Sequence, residues 1–281
     1  MNRVFARIGL AVTGFGLLAA CADAAGSSFY AATSSGTLSR FDTASPSSPP
    51  ASTVAITGLG PGELLIGIDI RPLNQKLYAI TRDGSNAGRL YSVNTTTGAA
   101  TLVGPLTPSP PDVTPVSLGG TRFGMAFNPT VDRIRLVSNT GQNVRVVPAT
   151  GAVIRDTDLN PGTPQVAAVS YINSFAGATT TTLYDIDSVA DTLSLQTPPN
   201  NGSLVFVGNL GVDVIDLVGF DITAIGTTNF AYATALVGVN VNLYSIDLGT
   251  GAATLLGALN GNFQTIGIAV VSDHIFANGY E

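Results

Sequence analysis

Thr97-Gly98-Ala99-Ala100-Thr101-Leu102 and Thr250-Gly251-Ala252-Ala253-Thr254-Leu255 carry the same six residues in the same order at distant points of one chain. Moving upstream from each copy, Arg89-Leu90-Tyr91-Ser92-Val93 and Asn242-Leu243-Tyr244-Ser245-Ile246 are near-duplicates with the alternation of a half-buried strand. Before them lie Leu77-Tyr78-Ala79-Ile80 and Phe230-Ala231-Tyr232-Ala233, and before those Ile66-Gly67-Ile68-Asp69-Ile70 and Val218-Gly219-Phe220-Asp221-Ile222. The same Gly-apolar-x-apolar core recurs at Phe123-Gly124-Met125-Ala126-Phe127 and Ile266-Gly267-Ile268-Ala269-Val270, with a degenerate copy at Ala167-Ala168-Val169-Ser170-Tyr171. A third Thr-Gly turn stands at Thr150-Gly151.

Four short antiparallel strands repeating at about 45 residues are the pattern of a β-propeller blade. The start of the chain enters in mid-unit. Phe29-Tyr30-Ala31-Ala32 reads as a second strand, Leu38 to Asp42 as a third and Thr53 to Ile56 as a fourth. The end supplies an orphan first strand, Thr265 to Val271. Pairing the two ends gives an all-β propeller of about five four-stranded blades, closed without a free inner edge. An open sandwich or two small β domains is the rival arrangement. The Pro-rich stretches Ser45 to Ser52 and Pro105 to Pro115 read as surface loops inside units.

Composition supports strands over helices. Of 281 residues, 45% are hydrophobic and only 11% charged, so Thr, Ser, Asn and Gly must build the polar surface. A net charge of −6 and a single lysine, Lys76, exclude a basic nucleic-acid face and a polybasic membrane patch.

Arg3, Arg7 and the apolar run Ile8 to Ala20 read as a secretory signal, since thirteen helical residues reach only about 20 Å against a core of about 30 Å. Ala22-Asp23-Ala24 is a small-x-small cleavage pattern, giving a signal at 1–24, a propeller at 25–272 and a tail at 273–281. Leu18-Ala19-Ala20-Cys21 also resembles a lipobox, with a signal at 1–20 and Cys21 as the lipidation site. Either route exports the folded part, to the periplasm, the outside or an outer-membrane anchor. No mature segment is a transmembrane candidate, and a monomer is expected. The sole cysteine, Cys21, falls within the signal, so the folded part has no disulfide. The tail Ile275-Phe276-Ala277-Asn278-Gly279-Tyr280-Glu281 is similar to short endings on other exported proteins of Gram-negative bacteria.

The instruments of catalysis are scarce. His274 is the only histidine, Trp is absent, and no HExxH or P-loop pattern occurs. Asp69 and Asp221 occupy one repeat position on first strands, which line the channel of a propeller. They could hold a calcium ion in a shared water-filled tunnel, or accept backbone N–H groups at its mouth. Asp83-Gly84-Ser85-Asn86 and Asp185-Ile186-Asp187 only partly match acidic calcium loops. The third unit is the odd one. Strand alternation puts Arg133 and Arg135 on one face, with Arg145 adjacent across the Asn139-Thr140-Gly141-Gln142 hairpin. Together with Asn128, Asp132 and Asn143 these form a candidate pocket for an anion or carboxylate. The competing reading is that the guanidinium groups pair with Asp132 or another carboxylate and fix the blade.

Leu65-Ile66-Gly67-Ile68-Asp69-Ile70-Arg71-Pro72, Leu90 to Asn94 with Thr97-Gly98, and the run Phe127-Asn128-Pro129 through Asp132-Arg133-x-Arg135 to Thr140-Gly141-Gln142-Asn143 resemble the bacterial domain-of-unknown-function family 4394. The likeness runs from about Phe29 to Val271. It implies a propeller-like repeat fold and export, and it brings no established activity or catalytic residues. The expected function is therefore an exported non-enzymatic binding or interaction module for a small molecule, glycan or protein. A cation-assisted hydrolase or lyase of extracellular carbohydrate or lactone is one alternative, and a structural surface component is another.

Overall fold

The computed structural model describes residues 27–271, the side chains of residues 216–218 and 262 apart. The expected export signal, Cys21, His274 and the tail lie outside the described residues.

Five antiparallel sheets follow one another along the chain. The first blade takes β1 (Ser28–Ala32), β2 (Thr37–Asp42) and β3 (Ser52–Ala55) from its beginning. The second is β4 (Leu64–Arg71), β5 (Lys76–Arg82), β6 (Gly88–Val93) and β7 (Ala100–Pro105). A two-residue β8 (Thr107–Pro108) then runs parallel to the outer strand of the third blade, which is β9 (Phe123–Asn128), β10 (Arg133–Ser138), β11 (Asn143–Val146) and β12 (Ala152–Arg155). The fourth is β13 (Val166–Tyr171), β14 (Leu183–Asp187), β15 (Thr192–Gln196) and β16 (Leu204–Asn209). The fifth is β17 (Asp216–Ile225), β18 (Thr228–Val237), β19 (Asn240–Ile246) and β20 (Ala253–Ala258). Finally β21 (Gly267–Val270) pairs antiparallel with β1, setting Tyr30 opposite Ala269. The inner strands touch in the order β4, β9, β13, β17, β21 and back to β4, so the ring is closed by the two ends of the chain. The degenerate fourth copy is a full blade.

Each pair of neighbouring blades buries a side-chain layer, and in four of the five seams that layer is mainly apolar. Ile80, Leu90, Phe127 and Ile134 fill the seam between the second and third blades. Ile186, Leu193 and Ile222 fill that between fourth and fifth. Leu38, Leu65, Ile68 and Leu77 join the first to the second, and Phe29, Phe41, Tyr232 and Leu243 join the fifth to the first. At roughly 1.5–3 kcal/mol per buried large side chain, these layers are the main force holding the ring.

The Thr-Gly turns are also seam elements. Gly98 takes φ 75°, Gly151 φ 78° and Gly251 φ 80°, a region that favours glycine. A side chain there would strike the preceding blade, since a Cβ on Gly98 would lie 2.0 Å from the Ala55 carbonyl oxygen. The first blade has no such turn. Its Pro-rich loop fills that place against the fifth, with Asn260 N donating to Pro46 O at 3.1 Å and Ser47 Oγ to Ala258 O at 2.9 Å.

The repeated glycine of the inner strands explains the tightness of the axis. A Cβ on Gly124 would lie 2.7 Å from Val169 N, and one on Gly219 would lie 2.7 Å from Ile268 N. With only hydrogen at these positions the inner strands meet, and the space left between them is about 10 Å³. That is no more than a single water needs. The shared water-filled tunnel expected between Asp69 and Asp221 is therefore corrected: the axis is plugged at its middle.

Candidate functional site: the seam between the third and fourth blades

This seam differs from the other four. Its apolar layer is short, built on Val137, Val169, Tyr171 and Leu183, and a buried polar network continues it outward. β10 and β11 pair with Arg135 directly opposite Arg145, as the alternation required. Asp156, just past β12, receives both guanidinium groups. Arg145 grips it bidentately, Nε to Oδ2 at 2.8 Å and Nη2 to Oδ1 at 2.7 Å, while Arg135 Nη1 reaches Oδ2 at 2.6 Å. This hydrogen bond to Asp156 is also the main cause that raises the Arg145 pKa further.

Arg135 is 2% exposed and held from several sides. Nη1 also donates to Asn143 Oδ1 at 2.7 Å, and Nη2 donates to Asn200 Oδ1 at 2.8 Å. Asn143 in turn donates to the carbonyls of Thr157 at 2.9 Å and Pro199 at 3.0 Å. Gln196 donates to Asn143 Oδ1 at 3.2 Å and Pro199 O at 2.6 Å. Asn200 and Pro199 belong to the 3-10 turn Pro199–Asn201, which replaces the Thr-Gly turn in the fourth blade. Behind them lies Asp185, fully buried, with neither carboxylate oxygen hydrogen-bonded within the described residues. Burial pushes its pKa well above the ordinary value, and the charge of Arg135 only partly offsets this.

The network forms one wall of a cavity of about 600 Å³ at the blade ends. Asn128, Arg133, Arg135, Arg145, Tyr171 and Asn200 are among its lining. Four of the six sequence candidates thus come together here. Arg133 is set apart, because Nη1 donates only to the carbonyls of Asp132 at 2.9 Å and Val131 at 3.4 Å. Among the described residues it has no carboxylate partner. Arg145 Nη1 likewise has no acceptor among them. Three guanidinium groups therefore stand against Asp156 as the one ion-paired carboxylate, which leaves the cavity wall electropositive.

The other two candidates serve elsewhere. Asp132 crosses to the second blade, where Arg71 Nε donates to Oδ1 at 2.8 Å and Nη2 to Oδ2. Of the two carboxylate choices left open by the sequence, Arg135 and Arg145 take the other one, Asp156, and not Asp132. Asn143 is 1% exposed, so it shapes the network from inside. Asn128, though at the cavity, uses Oδ1 to accept Thr130 N at 2.9 Å and Val131 N at 3.2 Å.

Asp69 and Asp221 lie between inner strands. Asp69 accepts Ile70 N at 2.7 Å on Oδ1 and Phe127 N of the third blade at 2.6 Å on Oδ2. Asp221 accepts Ile222 N at 2.7 Å and Ser170 Oγ at 2.9 Å on Oδ1, and Val270 N of the first blade at 2.6 Å on Oδ2. Each carboxylate thus clasps the next blade at the same repeat position. Burial is the chief cause raising both: Asp69 well above the ordinary value, helped by the charge of Asp221, and Asp221 to about 6. A calcium cage needs six to eight oxygens, and among the described residues no three of His, Cys, Asp or Glu come together. Asp83 and Asp187 cap turns, accepting Ser85 N at 2.9 Å and Val189 N at 3.0 Å.

The sequence did not point to Asp156, Gln196 or Asn200, and it marked Asp185 only as part of a weak acidic loop, not as a member of this seam. The signal for Asn200 was the fourth unit's departure from Thr-Gly to Thr197-Pro198-Pro199-Asn200-Asn201-Gly202. Asp156 and Gln196 had none.

No curated protein matches the chain. Among solved structures, a protein of unknown function from Bacteroides thetaiotaomicron superposes with a TM-score of 0.54 at 14% identity, covering 86% of this chain and 66% of that one. This chain thus spans just under two thirds of that protein's length. A protein from Lactobacillus plantarum gives 0.43 at 18% identity over 86% and 71% of the two chains. Glutaminyl cyclase of Myxococcus xanthus gives 0.38 at 14% identity over 74% and 70%. The first likeness shows the fold, and the two lower scores carry no argument. A family described as "Domain of unknown function (DUF4394)" matches residues 37–269. The chain belongs to the DUF4394 family.

Proposed function

We propose that this protein is an exported, non-enzymatic propeller that binds a small anion or an acidic glycan at the seam of its third and fourth blades. The observation that carries the reading is Arg133. It lines a cavity of about 600 Å³ beside Arg145, and its contacts are two backbone carbonyls in its own turn. The buried network behind it holds Arg135 and Arg145 in place before any ligand arrives, which lowers the ordering cost of binding. A cavity of this size, with three guanidinium groups in its lining, admits a sugar acid or a phosphorylated metabolite. Export rests on the arginine-led apolar N-terminus, and the low charge of the chain agrees with it. A binding role is preferred to cation-assisted hydrolysis because Asp69 and Asp221, the carboxylates for that chemistry, are engaged with backbone N–H groups.

Calorimetric titration with inorganic phosphate and with a glucuronate-containing disaccharide tests this. At least one anion is expected to bind, and Arg133→Gln to weaken it about tenfold or more, as loss of a charge-assisted hydrogen bond implies. Arg155→Gln, whose native partner Asp112 lies outside the cavity, is expected to leave binding unchanged. Absence of binding by the folded protein, or equal affinity in Arg133→Gln, contradicts the proposal.

A further inference from the structure

The plug on the axis leaves a second concavity above it. A cup of about 320 Å³ opens where the inner strands begin, distinct from the seam cavity and sharing no residue with it. Leu64, Leu65 and Ile66 from β4, Phe123 from β9, Ala167 from β13 and Ile266 just before β21 make its apolar wall. The rim is polar, with Ser34, Thr121 and Gln264 beside Arg82 and Arg122.

Two features show that the cup is built rather than left over. Ile66 and Ala167 are each the extra residue of a β-bulge, inserted between Leu65 and Gly67 and between Val166 and Ala168. A bulge re-aims one side chain, and both of these line the cup. Arg82 is also fixed in place. Its Nη1 donates to the carbonyls of Leu118 at 3.1 Å and Gly120 at 2.6 Å, and its guanidinium lies 5.3 Å from the Phe123 ring centroid. Leu64 stays 53% exposed at the entrance, an apolar cost that a ligand would remove.

We infer that this cup is a second binding site, for a small amphipathic carboxylate: an apolar body against Ile66, Phe123 and Ile266, with its anionic group toward Arg82. The plugged floor makes the site a dead end, so the ligand enters and leaves by one mouth. A volume near the bottom of the usual range for ligand pockets favours a short acyl or aryl acid over a long lipid.

The probe is octanoate, titrated calorimetrically into the whole protein, with acetate and 1-octanol as comparators. Octanoate is expected to bind at least tenfold more tightly than either comparator. Leu64→Asp, at an exposed position that leaves the core intact, is expected to weaken octanoate at least tenfold, and Arg133→Gln to leave it unchanged. No octanoate binding, octanoate binding indifferent to Leu64→Asp, or binding lost in Arg133→Gln would each overturn the inference. The last outcome would move octanoate to the seam and leave the anion reading there standing.

Discussion

A methyl group added at Gly124 would sit 2.7 Å from the amide nitrogen of Val169 and 2.8 Å from Ala168 Cα, both backbone atoms of the next blade. Neither can swing aside, so Gly124→Ala must push two inner strands apart. Overpacking of this kind costs about 1–3 kcal/mol, or several degrees of melting temperature for a chain of this size. Gly84→Ala is the matched control, with open space around its Cβ, and is expected within about 0.5 kcal/mol of the parent. Thermal melts of both variants check the pair, and equal melting temperatures would remove the glycine ring as the cause of the plug. At this scale the sequence was informative about position and silent about reason. The recurrence of Gly67, Gly124, Gly219 and Gly267 marked the inner strands, while their role became clear only from the approach of the neighbouring strand.

Between elements, the recurring device is a side-chain clasp from one inner strand to the next. Asp69 reaches Phe127 N, Asp221 reaches Val270 N, and Ser170 Oγ accepts Ile222 N at 3.0 Å. Burial raises the Asp221 carboxyl to about 6, against an ordinary value of 3.8. Between those two values the folded state keeps a proton that the unfolded chain has released. The contribution of this group to stability is therefore full below about pH 4 and falls as the pH rises through about 6. Asp221→Asn, which mimics the protonated form, is expected to flatten the decline of melting temperature across pH 4 to 6. An unchanged slope in that variant would contradict the assignment. The repeat made this pair visible in the sequence, because two carboxylates shared one register. The seam network could not be read in the same way. Its members Arg135, Asp156, Asp185 and Asn200 come from β10, the segment after β12, β14 and a 3-10 turn. Only the ring brings those segments together. The unit that broke the repeat, with Pro198 to Gly202 in place of Thr-Gly, was the legible hint.

For the whole molecule, closure is the condition on which both cavities depend. The seam cavity needs the fourth blade pressed against the third, and the cup needs β21 in place, since Gln264, Thr265 and Ile266 complete its wall. The unequal ends of the sequence announced the closure: three strands at one end and one at the other. The stand-in of the Pro46 loop for a Thr-Gly turn was not announced, because a Pro-rich loop has no strand period to read. Hydrogen exchange of the β21 amides tests the closed ring most directly. Ile268 to Val270 are paired with β1, and Val270 N is also held by Asp221. In a closed ring these amides are expected to be protected to the same degree as those of β4, exchanging only with global unfolding. Rapid exchange at β21 while β4 stays protected would contradict a ring closed by the two ends of the chain.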